Sequence, residues 1–368
     1  MMATVTTDGS APSAPGSVAA ARFRAQLLSG PPARSPAEVT GRLLAVQGQD
    51  PRGARLAIRA RSRGLTAADV DKALTADRSL VITWLNRGTL HLVRAEDYWL
   101  LQQLTVRPQY QQACFRHAAS GGVTADDTER AVTIIASALA DGPLTRVQVG
   151  ERLAAAGIRG TGMAPLHLIM LTCLRGLAVR GPMVGAQHAY VLARDWVGPA
   201  PRDFDRDLAL AEMARRYLAG HGPASDRDLA KWAGLPLGEV RRGLRGIGPE
   251  LRELPGGLAE LATSPGEPAE LPPPRLLGSF DPVLLGWASR EPILGEHQGI
   301  VSDNGRFRPF ALVEGRAAGL WTWTSGQVAL DQFAELPEPV RAALAEDARD
   351  VRRFLAGEEP EASDDGGA

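Results

Sequence analysis

The feature that most constrains this 368-residue chain is an internal repeat. Gly142-Pro143-Leu144-Thr145 and Gly222-Pro223-Ala224-Ser225 each follow one helical pattern and precede another. In both copies a Thr or Ser stands at the N-cap, where its side-chain oxygen can accept from an otherwise unpaired N–H of the next helix. That helix carries Val149 and Leu153, or Leu229 and Trp232, on one face, as an amphipathic helix does. Helix, short Gly-Pro turn and capped helix make up helix-turn-helix grammar, and its recurrence sets the frame for everything around it.

In the first copy a third helix, over about 165–175, leads into Gly176-Leu177-Ala178-Val179, a Gly-rich tip and Ala189-Tyr190-Val191-Leu192. This reads as a hairpin, hence a wing. In the second copy 236–244 supplies the third helix and the stretch near Leu258 a weaker wing. An N-terminal region reads similarly: helices near 37–46, 51–63 and 66–76, a strand over 80–85, a turn at Asn86-Arg87-Gly88 and a strand over 89–93. The expected fold is α+β, mostly α, with three tandem winged-helix units at 21–123, 124–200 and 201–270. After the stiff Pro272-Pro273-Pro274 a small C-terminal β-rich module is expected over 275–356. Its hairpins would turn at Asn304-Gly305 and Glu314-Gly315. A closing helix over 337–355, with alternating Arg and acidic residues, reads as a solvated face. Residues 1–20 and 357–368, rich in small and polar residues, read as disordered tails.

Composition narrows the function classes. No apolar run is long enough to span a bilayer and no secretory leader is visible, which predicts a soluble cytoplasmic protein. Cys114 and Cys173 match no metal-ligand or disulfide spacing, so neither a metal nor another cofactor is expected, and both read as ordinary thiols in the core. Formal net charge is −1, so attraction to nucleic acid has to come from local clusters. Of the 41 basic residues only Lys72 and Lys231 are lysines. The bias has a compositional cause in an Ala-, Gly- and Pro-rich chain, but arginine forks also suit phosphates and base edges.

Val46-Gln47-Gly48-Gln49-Asp50-Pro51-Arg52 joins an apolar helix to an arginine-bearing one. For Gln47 and Gln49 to meet at one point from an extended linker, the backbone should kink, which Gly48 permits. The plainer reading is that both glutamines solvate a loop while Asp50 caps the next helix. Arg52, Arg55 and Arg59 share a helical face, either as phosphate clamps or as a solvated stripe. Arg87 and His91 flank the first wing, and His91, alternating with Leu90 and Leu92, points away from their side, either to a wet or DNA-facing position or, the commoner outcome, as a structural hydrogen-bonding histidine. Arg306 and Arg308 lie at period two after the Asn304-Gly305 turn, hence on one hairpin face. Trp321 and Trp323 alternate in the same way, but aromatics at that spacing read as core.

Three blocks in order resemble one family: Leu44-Ala45-Val46-Gln47-Gly48-Gln49-Asp50-Pro51-Arg52, then Arg87-Gly88-Thr89-Leu90-His91-Leu92-Val93, then Phe280-Asp281-Pro282-Val283-Leu284-Leu285 with Asn304-Gly305. They are similar to the winged-helix DNA glycosylases of the AlkZ and YcaQ type, over nearly all of 22–330. The resemblance implies a monofunctional glycosylase that excises bulky N7-alkylguanines or unhooks interstrand crosslinks, in repair or in self-resistance to a genotoxic natural product. It also implies a monomer acting on double-stranded DNA that carries alkylated guanine. The family's catalytic signature, Gln-apolar-Gln in the AlkZ branch, falls on Gln47 and Gln49, with Gly48 where a large apolar residue is usual. The family's C-terminal hairpin near the lesion falls on Arg306 and Arg308. Arg52, Arg55, Arg59, Arg87 and His91 complete the expected DNA contacts. The alternatives are a noncatalytic damage- or drug-binding protein and a winged-helix transcriptional regulator.

Overall fold

The computed structural model describes residues 15–357 apart from 186, 266–269 and 303. The architecture is α+β and about half helical. It opens with α1 (Pro15–Ala25), which begins inside the segment 1–20 read as a disordered tail. A run of alanines favours helix, and Ala20 and Phe23 bury themselves against the core. The rest of both predicted tails lies outside the described residues.

α2 (Pro36–Leu43) is capped by Ser35 and has Pro36 in its first turn, where a missing N–H costs nothing. Leu44, at φ +62°, turns the chain into β1 (Val46–Gln47). α3 (Pro51–Arg59) and α4 (Ala67–Thr75) follow, the latter closed by a reciprocal Thr66–Asp69 capping box. β2 (Leu80–Trp84) and β3 (Leu90–Arg94) make a hairpin around the short 3-10 turn Asn86–Gly88. α5 (Tyr98–Thr105) and α6 (Pro108–Ser120) lead to α7 (Ala125–Leu139), α8 (Arg146–Ala155) and α9 (Ala164–Leu174). β4 (Ala178–Val184), β5 (Gln187–Leu192) and the short α10 (Ala193–Trp196) complete this group.

The two hairpins join in one five-stranded sheet of order β1-β3-β2-β4-β5. Its seam is the antiparallel register Ile82↔Arg180, so the sheet crosses the boundary expected near residue 123. The joint buries Val46, Ile82 and Leu92 of the first hairpin region in one core with Ile169, Leu174 and Tyr190 of the second, each large apolar side chain contributing about 1.5–3 kcal/mol.

Three further helices, α11 (Arg206–His221), α12 (Asp226–Ala233) and α13 (Leu237–Gly246), precede the hairpin β6 (Leu251–Leu254) and β7 (Leu258–Leu261). Ser225 caps α12 reciprocally with Asp228. Gly243 lets α13 lie on α11: a Cβ there would stand 2.5 Å from the Leu210 carbonyl oxygen.

The C-terminal part is a sheet of order β11-β10-β9-β8, from β8 (Arg275–Leu277), β9 (Phe310–Val313), β10 (Arg316–Thr324) and β11 (Gln327–Gln332), with α14 (Glu291–Leu294) between β8 and β9. The Glu314-Gly315 turn is where the sequence places it, with φ of +49° and +77°, as tight hairpins require. Asn304-Gly305 turns a shorter hairpin than expected. Among the described residues the isolated bridge Val301↔Phe307 forms, supported by Ser302 N–H to the Arg306 oxygen at 2.9 Å. A 3-10 turn at 298–300 and Pro309, which has no N–H, stop the ladder on both sides.

α15 (Glu338–Ala356) closes the chain. Its expected solvated face is interrupted: Asp347 is 6 % exposed and meets Arg59 of α3. Trp321, Cys114 and Cys173 are buried as expected.

Candidate active site and nucleic-acid interface

β1 carries the site because antiparallel pairing fixes its register: Val46 opposes Leu92, Gln47 opposes His91, and His91 in turn opposes Thr83 of β2. Side chains alternate along a strand, so Val46, Leu92 and Ile82 share the apolar face while Gln47, His91 and Thr83 form a row on the other. The ladder continues one step past the strand, where Gly48 N–H donates to the Leu90 oxygen at 2.7 Å. Gln49 then takes over with its side chain, its Oε1 accepting from Leu90 N–H at 2.8 Å. Gly48 is not in the left-handed region, which the chain instead visits at Leu44. The chain bends just past Gly48, at Gln49 and Asp50, and Gln49 reaches back to β3 with its side chain.

Gln47 is 8 % exposed and Gln49 is exposed. Asp50 is spent as the cap of α3, its Oδ1 accepting from Arg52 N–H at 3.0 Å. The start of α3 is pinned against the loop before Asp281, for a Cβ on Gly53 would stand 2.3 Å from the Ser279 carbonyl oxygen. Phe280, next in sequence, sits at φ +58° and packs on Phe307 with ring centroids 4.9 Å apart.

The arginines divide sharply. Arg52 is exposed beside the loop. Arg55 is mostly buried and paired with Asp71, Nε to Oδ1 at 2.9 Å. Arg59 is 2 % exposed and gives Nη1 and Nη2 to Asp347 at 2.9 and 3.0 Å and Nη2 to the Leu276 oxygen at 2.7 Å. The expected common surface stripe thus fails at Arg59, which holds α15 and β8 onto α3 and offers no donor to DNA. Arg306 and Arg308 are both exposed on either side of the buried Phe307, as their spacing predicts.

His91 is 2 % exposed, not wet or DNA-facing. Its Nδ1 lies 3.0 Å from the Thr89 oxygen, which can only accept, so Nδ1 carries the proton. Burial, helped by the charge of Arg87, pushes its pKa down to about 3. His91 is therefore neutral at physiological pH and holds Gln47's strand without titrating. Fully buried His221 is likewise pushed down to about 3 by burial. Both side chains are free to protonate below their ordinary value of 6.5 when the chain is unfolded but not when it is folded. Stability should fall as pH drops from about 6.5 towards 3, by about 1.4 kcal/mol per pH unit for each histidine. Urea midpoints at pH 7 and pH 4.5 measure this, and His91→Gln should lose less between the two; an equal loss would refute the assignment.

Arg87 lies in the 3-10 turn at φ +58°. Its Nη2 donates to Gln47 Oε1 at 3.0 Å and its Nη1 to the Trp232 carbonyl oxygen. Burial holds its pKa below the ordinary arginine value, and nearby Arg290 adds to this. Sequence reasoning missed Arg290, whose guanidinium stands 5.0 Å from the Phe307 ring. It also missed Tyr110, whose ring would meet a Cβ on Gly88 at 3.0 Å. Neither carries a local signature. Among the described residues no group of three or more His, Cys, Asp or Glu side chains could hold a metal, and no helix is long and apolar enough to cross a membrane.

A family model described as DNA glycosylase AlkZ-like matches residues 40–354, and the chain belongs to that family. It is 28 % identical over 366 residues to the interstrand DNA cross-link repair glycosylase of Streptomyces sahachiroi, covering 90 % of this chain and 94 % of that one. The solved Streptomyces sahachiroi DNA glycosylase AlkZ matches with a TM-score of 0.76 at 25 % identity, covering 94 % of this chain and 97 % of that structure.

Proposed function

We propose that this glycosylase hydrolyses the N-glycosidic bond of bulky N7-alkylguanines and unhooks crosslinks built on them, acting as a monomer on double-stranded DNA in the cytoplasm. The three helix-rich units, each carrying a hairpin, are read as winged helices that together embrace the duplex. The observation that carries the reading is the disposition of Gln47 and Gln49, two steps apart at the end of β1, with Gln47 only 8 % exposed and held by Arg87 and Gln49 exposed. The similarity to a cross-link repair glycosylase supports the substrate class, and DNA repair or self-resistance to a genotoxic natural product is the biological role of this reading.

The chemistry asks little of an acid. N7 alkylation makes the base cationic, so the C1′–N9 bond breaks with the electron pair going to a base that leaves neutral. Water adds to C1′ of the oxocarbenium-like sugar and loses its proton, leaving an abasic site. What remains for the protein is to position the sugar, base and water and to supply fixed dipoles, work for which carboxamides are suited. Buried neutral His91 and capping Asp50 are consistent with a site without a strong acid. Lys72 and Lys231 stand outside the loop, so the reading is hydrolysis without a Schiff base or strand cleavage. Arg52, Arg306 and Arg308, all exposed, are the proposed phosphate contacts.

Base release from a duplex bearing one bulky N7-alkylguanine tests this. Gln47→Ala and Gln49→Ala should each slow single-turnover release about 100-fold, the scale of losing one preorganised polar contact, with duplex affinity nearly unchanged. Binding by the natural protein without release of any base would instead return the noncatalytic damage-binding reading.

A further inference from the structure

Each of the two glutamines has its carboxamide orientation set by a group that can only donate. Arg87 has no acceptor atom and neither has the Leu90 N–H, so the atoms they meet at 3.0 and 2.8 Å must be the Oε1 oxygens. The Nε2 groups of Gln47 and Gln49 have no partner among the described residues and are not sealed from solvent. In both side chains the oxygen is engaged by the protein, which leaves the two N–H bonds for another acceptor.

The two oxygens are pinned by different means. Gln49 is held by a neighbouring strand, whereas Gln47 depends on one guanidinium that reaches it from another part of the fold. Arg87 spans from the last turn of α12, where Nη1 meets the Trp232 oxygen, to Gln47, where Nη2 meets Oε1. Gly234, left-handed at the end of α12, makes room for it, since a Cβ there would stand 3.0 Å from Arg87 Cγ. Arg87 itself holds a left-handed φ of +58°, a conformation that persists in a non-glycine residue only when its surroundings impose it. No carboxylate pairs with its guanidinium among the described residues.

We infer that Arg87 is a positioning residue for base excision: it fixes the Gln47 carboxamide with Nε2 towards DNA and locks that orientation to α12 through the Trp232 carbonyl. This replaces the phosphate contact that its place in the hairpin turn suggested, and it rests on the reading of Gln47 as catalytic. A bond from a charged donor also draws density from Oε1 and strengthens the remaining N–H groups as donors. Gln47 is thereby set to donate to an oxygen or ring nitrogen of the nucleotide, including the base as it gains the electron pair of the breaking bond.

The test compares Arg87→Met, Arg87→Lys, Gln47→Ala and the Arg87→Met/Gln47→Ala double variant. Single-turnover base release is read at saturating enzyme on the same N7-alkylguanine duplex, with undamaged-duplex affinity read as a function of salt. Arg87→Met should slow release at least 10-fold with affinity changed less than about 3-fold and the salt slope unaltered. The double variant should be no more than about 3-fold slower than Gln47→Ala, because Arg87 acts through Gln47. Arg87→Lys keeps the charge but cannot bridge both oxygens, so it should be slowed as well, and it serves if Arg87→Met folds poorly. An Arg87→Lys enzyme with the full rate overturns the inference, as do losses that multiply in the double variant. So does weakened affinity with a salt slope reduced by about one and an unchanged saturated rate, the signature of a phosphate contact. If Gln47→Ala releases base at the natural rate, the catalytic reading of the loop fails first, whatever Arg87 does.

Discussion

Asp281→Ala is expected to destabilise the protein by about 3–5 kcal/mol, the scale for removing one member of a buried ion pair. Asp281 and Arg61 are both fully buried, joined through Nη2 to Oδ1 at 2.7 Å and Nη1 to Oδ2 at 2.9 Å. Without the carboxylate, Arg61 keeps only the Gln26 Oε1 at 2.9 Å and the Ala57 oxygen at 3.0 Å, neutral acceptors that do not balance a charge out of water. Oδ1 also accepts from Val283 N–H at 3.0 Å, so the turn after Phe280 loses its cap as well. Asp281→Asn preserves that cap and the shape while removing the charge, and should lie between the two. The urea midpoint, read at constant slope, decides the matter. A loss below about 1 kcal/mol would mean that water already reaches the pair.

The second large effect concerns the attachment of α15. Asp347 accepts from both terminal nitrogens of Arg59, from Leu276 N–H at 2.7 Å and from Arg275 at 3.3 Å. Burial alone would raise its pKa, but the charge and hydrogen bonds of Arg59 hold it below the usual carboxylate range. Its contribution is therefore complete above the ordinary carboxylate pKa and is lost as pH falls through the lower folded value. Asp347→Ala should cost about 3 kcal/mol, partly offset by Asp350, 3.1 Å from Arg59. The signature differs from that of Asp281, because the damage is local to one docked helix. Limited proteolysis should cut the variant between β11 and α15 well before global unfolding. A natural cleavage pattern at neutral pH would show that the helix is held by its apolar face alone.

Local signals carried much of this fold. Thr145 and Ser225 cap their helices, with Gln148 and Asp228 completing the boxes, because capping is settled within four residues. Asp50 was legible as a cap for the same reason. The joining of the two hairpins at Ile82 and Arg180 was not, since a pairing across that span leaves no pattern in either strand. Helical spacing put Arg52, Arg55 and Arg59 on one stripe, but spacing does not say where along the stripe a neighbour lands. Here α15 covers its far end and leaves Arg52 in the open. Gln47 and Gln49 came from resemblance, and their geometry came from the sheet. The partner of Arg87, 145 residues away at Trp232, had no trace in its own turn, and the strained Phe280 was quoted for its motif without any hint of its backbone.

Strand β1, which carries the proposed catalytic Gln47, stands at one end of its sheet, with β3 as its single neighbour. An edge strand of two residues can be redrawn without re-registering the rest, because no further ladder depends on it. The two buried arginine pairs that hold the C-terminal module lie on other elements, at Arg59 and Arg61. Changes at position 48, beside the proposed catalytic pair, should therefore disturb folding little, because the strand that carries it hangs at the rim of its sheet.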